Sequence, residues 1–169
     1  MKKVIWGGAI LTGIGCMIFT ALHLQAIAIT CGTFFYHLAM RLAVGYMMLL
    51  VPRKFDPQAG WFAERKWEKK LYHLLCVRRW KHVVPSYNPQ DFDMSKHTPQ
   101  EIVQTMCVSE LVHEIIVLLS FIPLFFAIPF GEFIVFLLTS LASAAFDSVF
   151  VILQRFNRPR MVRLAQRRG

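Results

Sequence analysis

Two apolar blocks dominate the chain, Val4 to Val51 and Val103 to Leu153. Each is about twice the roughly 20 residues that one helix needs to cross a bilayer core, and each carries one polar break. His23-Leu24-Gln25 divides the first block, and Ile128-Pro129-Phe130-Gly131-Glu132 divides the second. The pattern therefore predicts four spans, 4–22, 28–51, 103–127 and 133–153, arranged as two hairpins. Between them, segment 52–102 turns charged and aromatic. From Trp61 to Val77 the apolar or aromatic positions 67, 71, 74 and 75 recur at helical spacing and leave Glu64, Arg65, Glu68 and Lys69 on another face. That predicts an amphipathic helix lying in the headgroup layer, followed by a loop through Pro85, Ser86-Tyr87-Asn88 and Pro89. The expected fold is all-α: one integral membrane domain over 1–169, with a cytoplasmic interfacial segment and a basic tail over 154–169.

Composition agrees with the spans. Among 169 residues 56% are hydrophobic and the mean hydropathy is +0.46, too apolar for an ordinary soluble domain. The distribution of the +9 net charge sets the orientation. Lys2 and Lys3 precede the first span, ten Lys or Arg lie between Arg53 and Lys96, and six follow Leu153, while neither hairpin tip has any. By the positive-inside rule, both termini and the middle segment face the cytoplasm of a multi-pass cell-membrane protein. A signal peptide competes at the N-terminus, but the apolar run is too long for an h-region, and it is read as an uncleaved span. Ala9 and Gly13 form a small-xxx-small pair suited to close helix packing.

Cys16, Cys31, Cys76 and Cys107 have no metal-type spacing and read as packing residues, with Cys107 beside His113 as an alternative nucleophile. Basic residues interleaved with aromatics also occur in nucleic-acid binders. Flanking spans direct the same pattern toward anionic headgroups and phosphates instead.

Ionisable residues at bilayer depth are costly and point to function or to pairing within a bundle. Glu110 and His113 are three apart on one helical face, so the carboxylate can orient the imidazole as a general base. A structural Glu-His hydrogen bond is the competing reading, and both stay open. Glu114 lies beside them. Asp147 has Arg41, His37 and His113 as candidate partners, with a structural Arg41–Asp147 bridge as the expectation.

Three blocks in order carry a family resemblance: Arg78-Arg79-Trp80-Lys81 with Pro85, Glu110-Leu-Val-His113 with Ile122-Pro123, and Gln154-Arg155-Phe156-Asn157-Arg158-Pro159-Arg160. They resemble the glycosyl-4,4'-diaponeurosporenoate acyltransferases over roughly Val51 to the end. In that family's terminal motif Val and Tyr stand where this chain has Leu153 and Phe156, and an Asn stands where it has Asp147. The resemblance implies a membrane enzyme that esterifies a sugar hydroxyl of a carotenoid glucoside-like lipid with a fatty acyl group. His113 would be the base, with Glu110 orienting it. Acyl-CoA would be the co-substrate, with no other cofactor and no metal. Arg78, Arg79, Lys81, Arg155, Arg158 and Arg160 would meet its phosphates. Trp80, Gln154 and Asn157 would complete the substrate site, with Asn157 bonding the sugar or the carbonyl oxygen. The expected partners are membrane lipids, the glycolipid acceptor and the acyl donor, not nucleic acid. The rival readings are a non-catalytic membrane subunit, a lipid-binding adaptor, or another lipid-modifying enzyme using the same polar site.

Overall fold

The computed structural model describes residues 2–52, 54–84 and 88–168. Arg53 and the Pro85-Ser86-Tyr87 part of the expected loop lie outside the described residues. All regular structure among the described residues is helical: α1 (Lys2–Ala21), α2 (Gln25–Leu49), α3 (Lys66–Leu74), α4 (Val77–Trp80), α5 (Pro99–Leu119), α6 (Ala127–Phe130) and α7 (Phe133–Arg168), with short 3-10 turns at Pro89–Phe92 and Ile122–Phe126. Four helical segments are long and apolar enough to cross a membrane: Lys3–Ala21, Gln25–Leu49, Pro99–Phe130 and Phe133–Arg167. The chain forms two compact units, Met1–Leu50 with Glu114–Ser148, and Val51–His113 with Val149–Gly169.

In the first unit α1 packs antiparallel on α2 through small residues. A Cβ on Gly8 would lie 3.0 Å from Leu38 Cδ1, and one on Gly13 3.1 Å from the Phe35 ring. The helices approach this closely because glycine has nothing to displace. Ala9, one turn before Gly13, is buried.

The second apolar block departs from the expected uninterrupted span over 103–127. Pro123 has no N–H for the Leu119 carbonyl, so α5 ends there. The Tyr36 hydroxyl donates to that carbonyl instead, at 2.9 Å, which satisfies a group that would be costly to leave bare in hydrocarbon. The chain continues as a 3-10 turn and α6, and Gly131, at φ 79, closes α6 in the left-handed conformation. α7 starts two residues later.

One set of polar groups of the first unit forms a connected chain, while among the described residues the buried His37 ring nitrogens and Ser140 Oγ have no hydrogen-bond partner. Arg41 makes an ion pair with Asp147, and its Nη2 also donates to Ser143 Oγ at 2.9 Å. Ser120 donates to the Ile116 carbonyl at 2.8 Å. Ser143 is therefore the donor in the 2.8 Å contact between the two serine hydroxyls. The chain Arg41 to Ser143 to Ser120 to Ile116 uses the hydroxyl protons of both Ser143 and Ser120.

In the second unit α5 begins with a capping box. The Thr98 N–H donates to Glu101 Oε2 at 2.8 Å, and the Glu101 N–H donates to Thr98 Oγ1 at 3.3 Å. Gln104 holds the incoming chain by accepting from the Phe55 N–H at 2.8 Å and donating to the Phe55 carbonyl at 2.7 Å. The expected single helix over Trp61 to Val77 is divided: Cys76, at φ 49, separates α3 from α4. Residues 61–63 form a turn.

α7 also differs from expectation. It runs on past Leu153 through Pro159 to Arg168, although Pro159 cannot donate to the Arg155 carbonyl. Gln100 Nε2 donates to the Ala165 carbonyl at 3.1 Å and ties the last turns to α5.

Candidate functional site

The second and third polar blocks meet in the second unit around two buried carboxylates. Glu110, on α5, is 0% exposed, and Glu68, on α3, is 2% exposed. α7 supplies the opposing charges from positions one and four residues after Gln154, a spacing that brings both guanidiniums near one helical face. Arg158, itself 2% exposed, donates from Nη1 to Glu110 Oε2 and from Nη2 to the Phe62 carbonyl. Its guanidinium lies 5.0 Å from the centre of the Phe62 ring.

Arg155 is fully engaged. Nη1 donates to Glu110 Oε1 at 2.7 Å and to the Trp61 carbonyl at 3.2 Å. Nη2 donates to Glu68 Oε1 at 2.7 Å and to the Ala63 carbonyl at 3.4 Å. Nε donates to Glu68 Oε1 at 3.2 Å. An arginine has five N–H groups, and every one of them is spent. The expected contact of Arg155 and Arg158 with a substrate phosphate has no free donor on the first residue and no surface on the second.

Glu68 Oε2 accepts from the Tyr72 hydroxyl at 2.7 Å. Burial pushes the Glu68 carboxyl up, but the bonds from Arg155 and Tyr72 outweigh it and hold the group below its ordinary value. Burial and donation to Glu68 push the Tyr72 hydroxyl above its ordinary value. With two glutamates against two arginines, the cluster carries no net formal charge, which is the condition for burying ions at tolerable cost.

The remaining site residues surround this core. The His113 ring stacks on Phe150, with centroids 4.6 Å apart and planes 12° apart. Phe150 is one turn before Gln154 on α7, and Gln154 is buried. The Lys81 ammonium sits 5.1 Å from the Phe156 ring centre, and Tyr72 meets the same ring edge-on at 5.3 Å. Phe156 is thus contacted by both Lys81 and Tyr72. Trp80 Nε1 donates to the Leu75 carbonyl at 2.8 Å, closing the α3–α4 turn. Asn157 is half-buried, and Arg78, Arg79 and Arg160 are exposed. Cys107 is fully buried.

The helical spacing sets Glu68 on a different face from Trp67, Leu71 and Leu74. The structure turns Glu68 and Tyr72 inward and leaves Trp67 and Leu74 exposed. Their spacing of four residues was the available signal, a carboxylate and a phenol stacked one turn apart on α3.

What the fold and the cluster define is a helical membrane protein in which Glu68, Glu110 and the Arg155–Arg158 turn, far apart in sequence, close on one ion network. Residues 58–167, more than half of the chain, match the family model described as glycosyl-4,4'-diaponeurosporenoate acyltransferase. The chain belongs to that family. No curated protein and no solved structure gives a match.

Proposed function

We propose that the protein transfers a fatty acyl group to a sugar hydroxyl of a glycosylated lipid, such as a carotenoid glucoside, at the cytoplasmic leaflet of the cell membrane. One observation carries the reading: Lys81, Glu110, His113 and the 154–160 block, distant in sequence, share one unit through the Arg155–Glu110 bond at 2.7 Å, the His113–Phe150 stack and the Lys81–Phe156 contact. Family membership supplies the reaction class.

In this mechanism His113 takes the proton of the acceptor hydroxyl while its oxygen attacks the acyl thioester carbonyl. The tetrahedral intermediate expels the thiolate of coenzyme A, and the proton held on His113 leaves with it. Arg155 and Arg158 fix Glu110, and with it the helix turn that carries His113. They act by positioning, not by touching phosphate. Arg78, Arg79 and Arg160 receive the phosphates of the acyl donor, since exposed guanidiniums suit phosphate geometry, and the Lys81 ammonium adds a positive charge beside them. Asn157 and Gln154 supply amide groups for the sugar or the carbonyl oxygen, and Trp80 borders them. The basic segments over 54–81 and 155–167 face the cytoplasm, as the charge distribution requires.

The test is to incubate purified protein with labelled acyl-CoA and either a glucosylated lipid or the same lipid without its sugar. Label in the glucosylated lipid alone is expected. Label in neither, or equally in both, removes the sugar-acylation reading.

A further inference from the structure

Pro123, just past the end of α5, lines a cavity of about 520 Å³ in the first unit, to which α1, α2, α6 and α7 also contribute walls. Cavities of that size hold small organic ligands. Ala28, Thr33 and Phe136 at its closed end are buried, while His23, Gln25 and Phe130 at its mouth are exposed. Along α2 the wall runs from Gln25 to Tyr36, about 16 Å at 1.5 Å per residue. That is close to half of the roughly 30 Å hydrocarbon core of a bilayer, the depth that one lipid chain occupies in its leaflet.

The wall offers an entering ligand little polarity. Its three hydroxyls have spent their protons: Thr20 donates to the Cys16 carbonyl at 2.7 Å, Thr33 to the Ile29 carbonyl at 2.8 Å and Tyr36 to the Leu119 carbonyl at 2.9 Å. In a bilayer, apolarity alone draws nothing in, because lipid tails are as apolar as the wall. Two features set this cavity apart. Packing against aromatic side chains, Phe126, Phe130 and Phe136, gives a chain more close contacts than its neighbours in the bilayer do. The mouth adds hydrogen bonds: the Gln25 carboxamide both donates and accepts, and the His23 ring donates, which complements a hydroxyl. Neither turn 22–25 nor turn 128–132 has a Lys or Arg, and the second carries Glu132, so a phosphate head gains no opposite charge there.

We propose that this cavity binds a single-chain lipid, its hydrocarbon chain between the helices and its uncharged, hydroxyl-bearing head at His23 and Gln25. The proposal is independent of the acyl-transfer reading. All of the lining residues belong to the first unit, and none has a part in the proposed chemistry.

The probe is 1-monooleoylglycerol with a diazirine in its chain, photolysed with the full-length protein in phosphatidylcholine nanodiscs and mapped by peptide mass spectrometry. Labelling of segments 25–36 and 123–136 should saturate with probe concentration. Unlabelled monooleoylglycerol should compete it away, and oleoyl lysophosphatidic acid, with the same chain on a phosphate head, should not. Ala28→Phe fills the closed end and should lower the saturable labelling by about fivefold or more, the scale of overpacking a filled site. Ala26→Phe, on an exposed part of α2 outside the cavity, should leave it unchanged. Should Ala28→Phe fail to fold, Phe130→Ala removes one exposed aromatic wall and should lower labelling by about threefold. Labelling that rises linearly with probe, that survives in folded Ala28→Phe or in Phe130→Ala, or that the phosphate-headed lipid displaces equally well overturns the proposal.

Discussion

Arg158 and Glu110 form an ion pair in which both side chains are cut off from solvent. A buried pair of this kind gives little net stability against an apolar replacement, but losing one member strands the other charge. Arg158→Ala should therefore destabilise the second unit by about 3–5 kcal/mol, and Glu110→Gln should cost less because the amide still accepts a hydrogen bond. Denaturation of the detergent-solubilised variants checks the ranking. An Arg158→Ala protein as stable as the wild type would contradict the burial of the pair inside the protein.

Arg78, Arg79 and Arg160 are exposed, and their removal should leave stability alone. Replacing all three with alanine should raise the KM for acyl-CoA by an order of magnitude or so, as loss of charge-assisted phosphate contacts implies, with little change in thermal stability. Arg155→Ala should show the opposite signature, a lower melting temperature at any substrate level, because all five of its donors are internal. Steady-state kinetics beside melting curves separates the two groups.

Glu68 predicts an acid-sensitive element. Its carboxyl is held below the ordinary 4.5 in the folded state, so the folded state favours the ionised form. That stabilisation is fully present above pH 4.5 and is lost progressively as pH falls through the lower folded value. Glu68→Gln should be less stable than wild type at neutral pH, and the gap should narrow as the pH drops below 4.5. Unfolding midpoints across the acid range provide the check, and a gap that widens on acidification would contradict the assignment.

The Arg41–Asp147 bridge should serve stability alone. Arg41→Met or Asp147→Leu singly strands a charge at bilayer depth and should cost several kcal/mol, whereas the double replacement should recover most of the loss. Acyl transfer per folded molecule should stay at the wild-type level in the double variant.

Much of this architecture is legible in the chain because it depends on local pattern. The breaks at His23 and Gly131, and the pairing of Arg41 with Asp147, follow from hydropathy and from the cost of bare charge in hydrocarbon. The cluster around Glu68 does not. On α3 the local period favours burying Trp67 and Leu74, yet the structure buries Glu68 and Tyr72 because Arg155 needs a counter-charge 87 positions away along the chain. No local window contains that demand. The same pairing explains why Arg155 and Arg158 read as a surface clamp from sequence: a run of arginines after an apolar stretch looks solvated until its carboxylates are located. Pro159 misleads similarly, since a helix tied down beyond it at Ala165 can run through a residue that usually ends one.

In the proposed reaction His113 draws the proton from a sugar hydroxyl during acyl transfer. Its most direct measurement is the rate of labelled acyl transfer to a glucosylated lipid by wild type and by His113→Ala at matched melting temperature. The expected loss is about 10²–10⁴-fold, the usual contribution of a general base. A His113→Ala protein that acylates at the wild-type rate would contradict it.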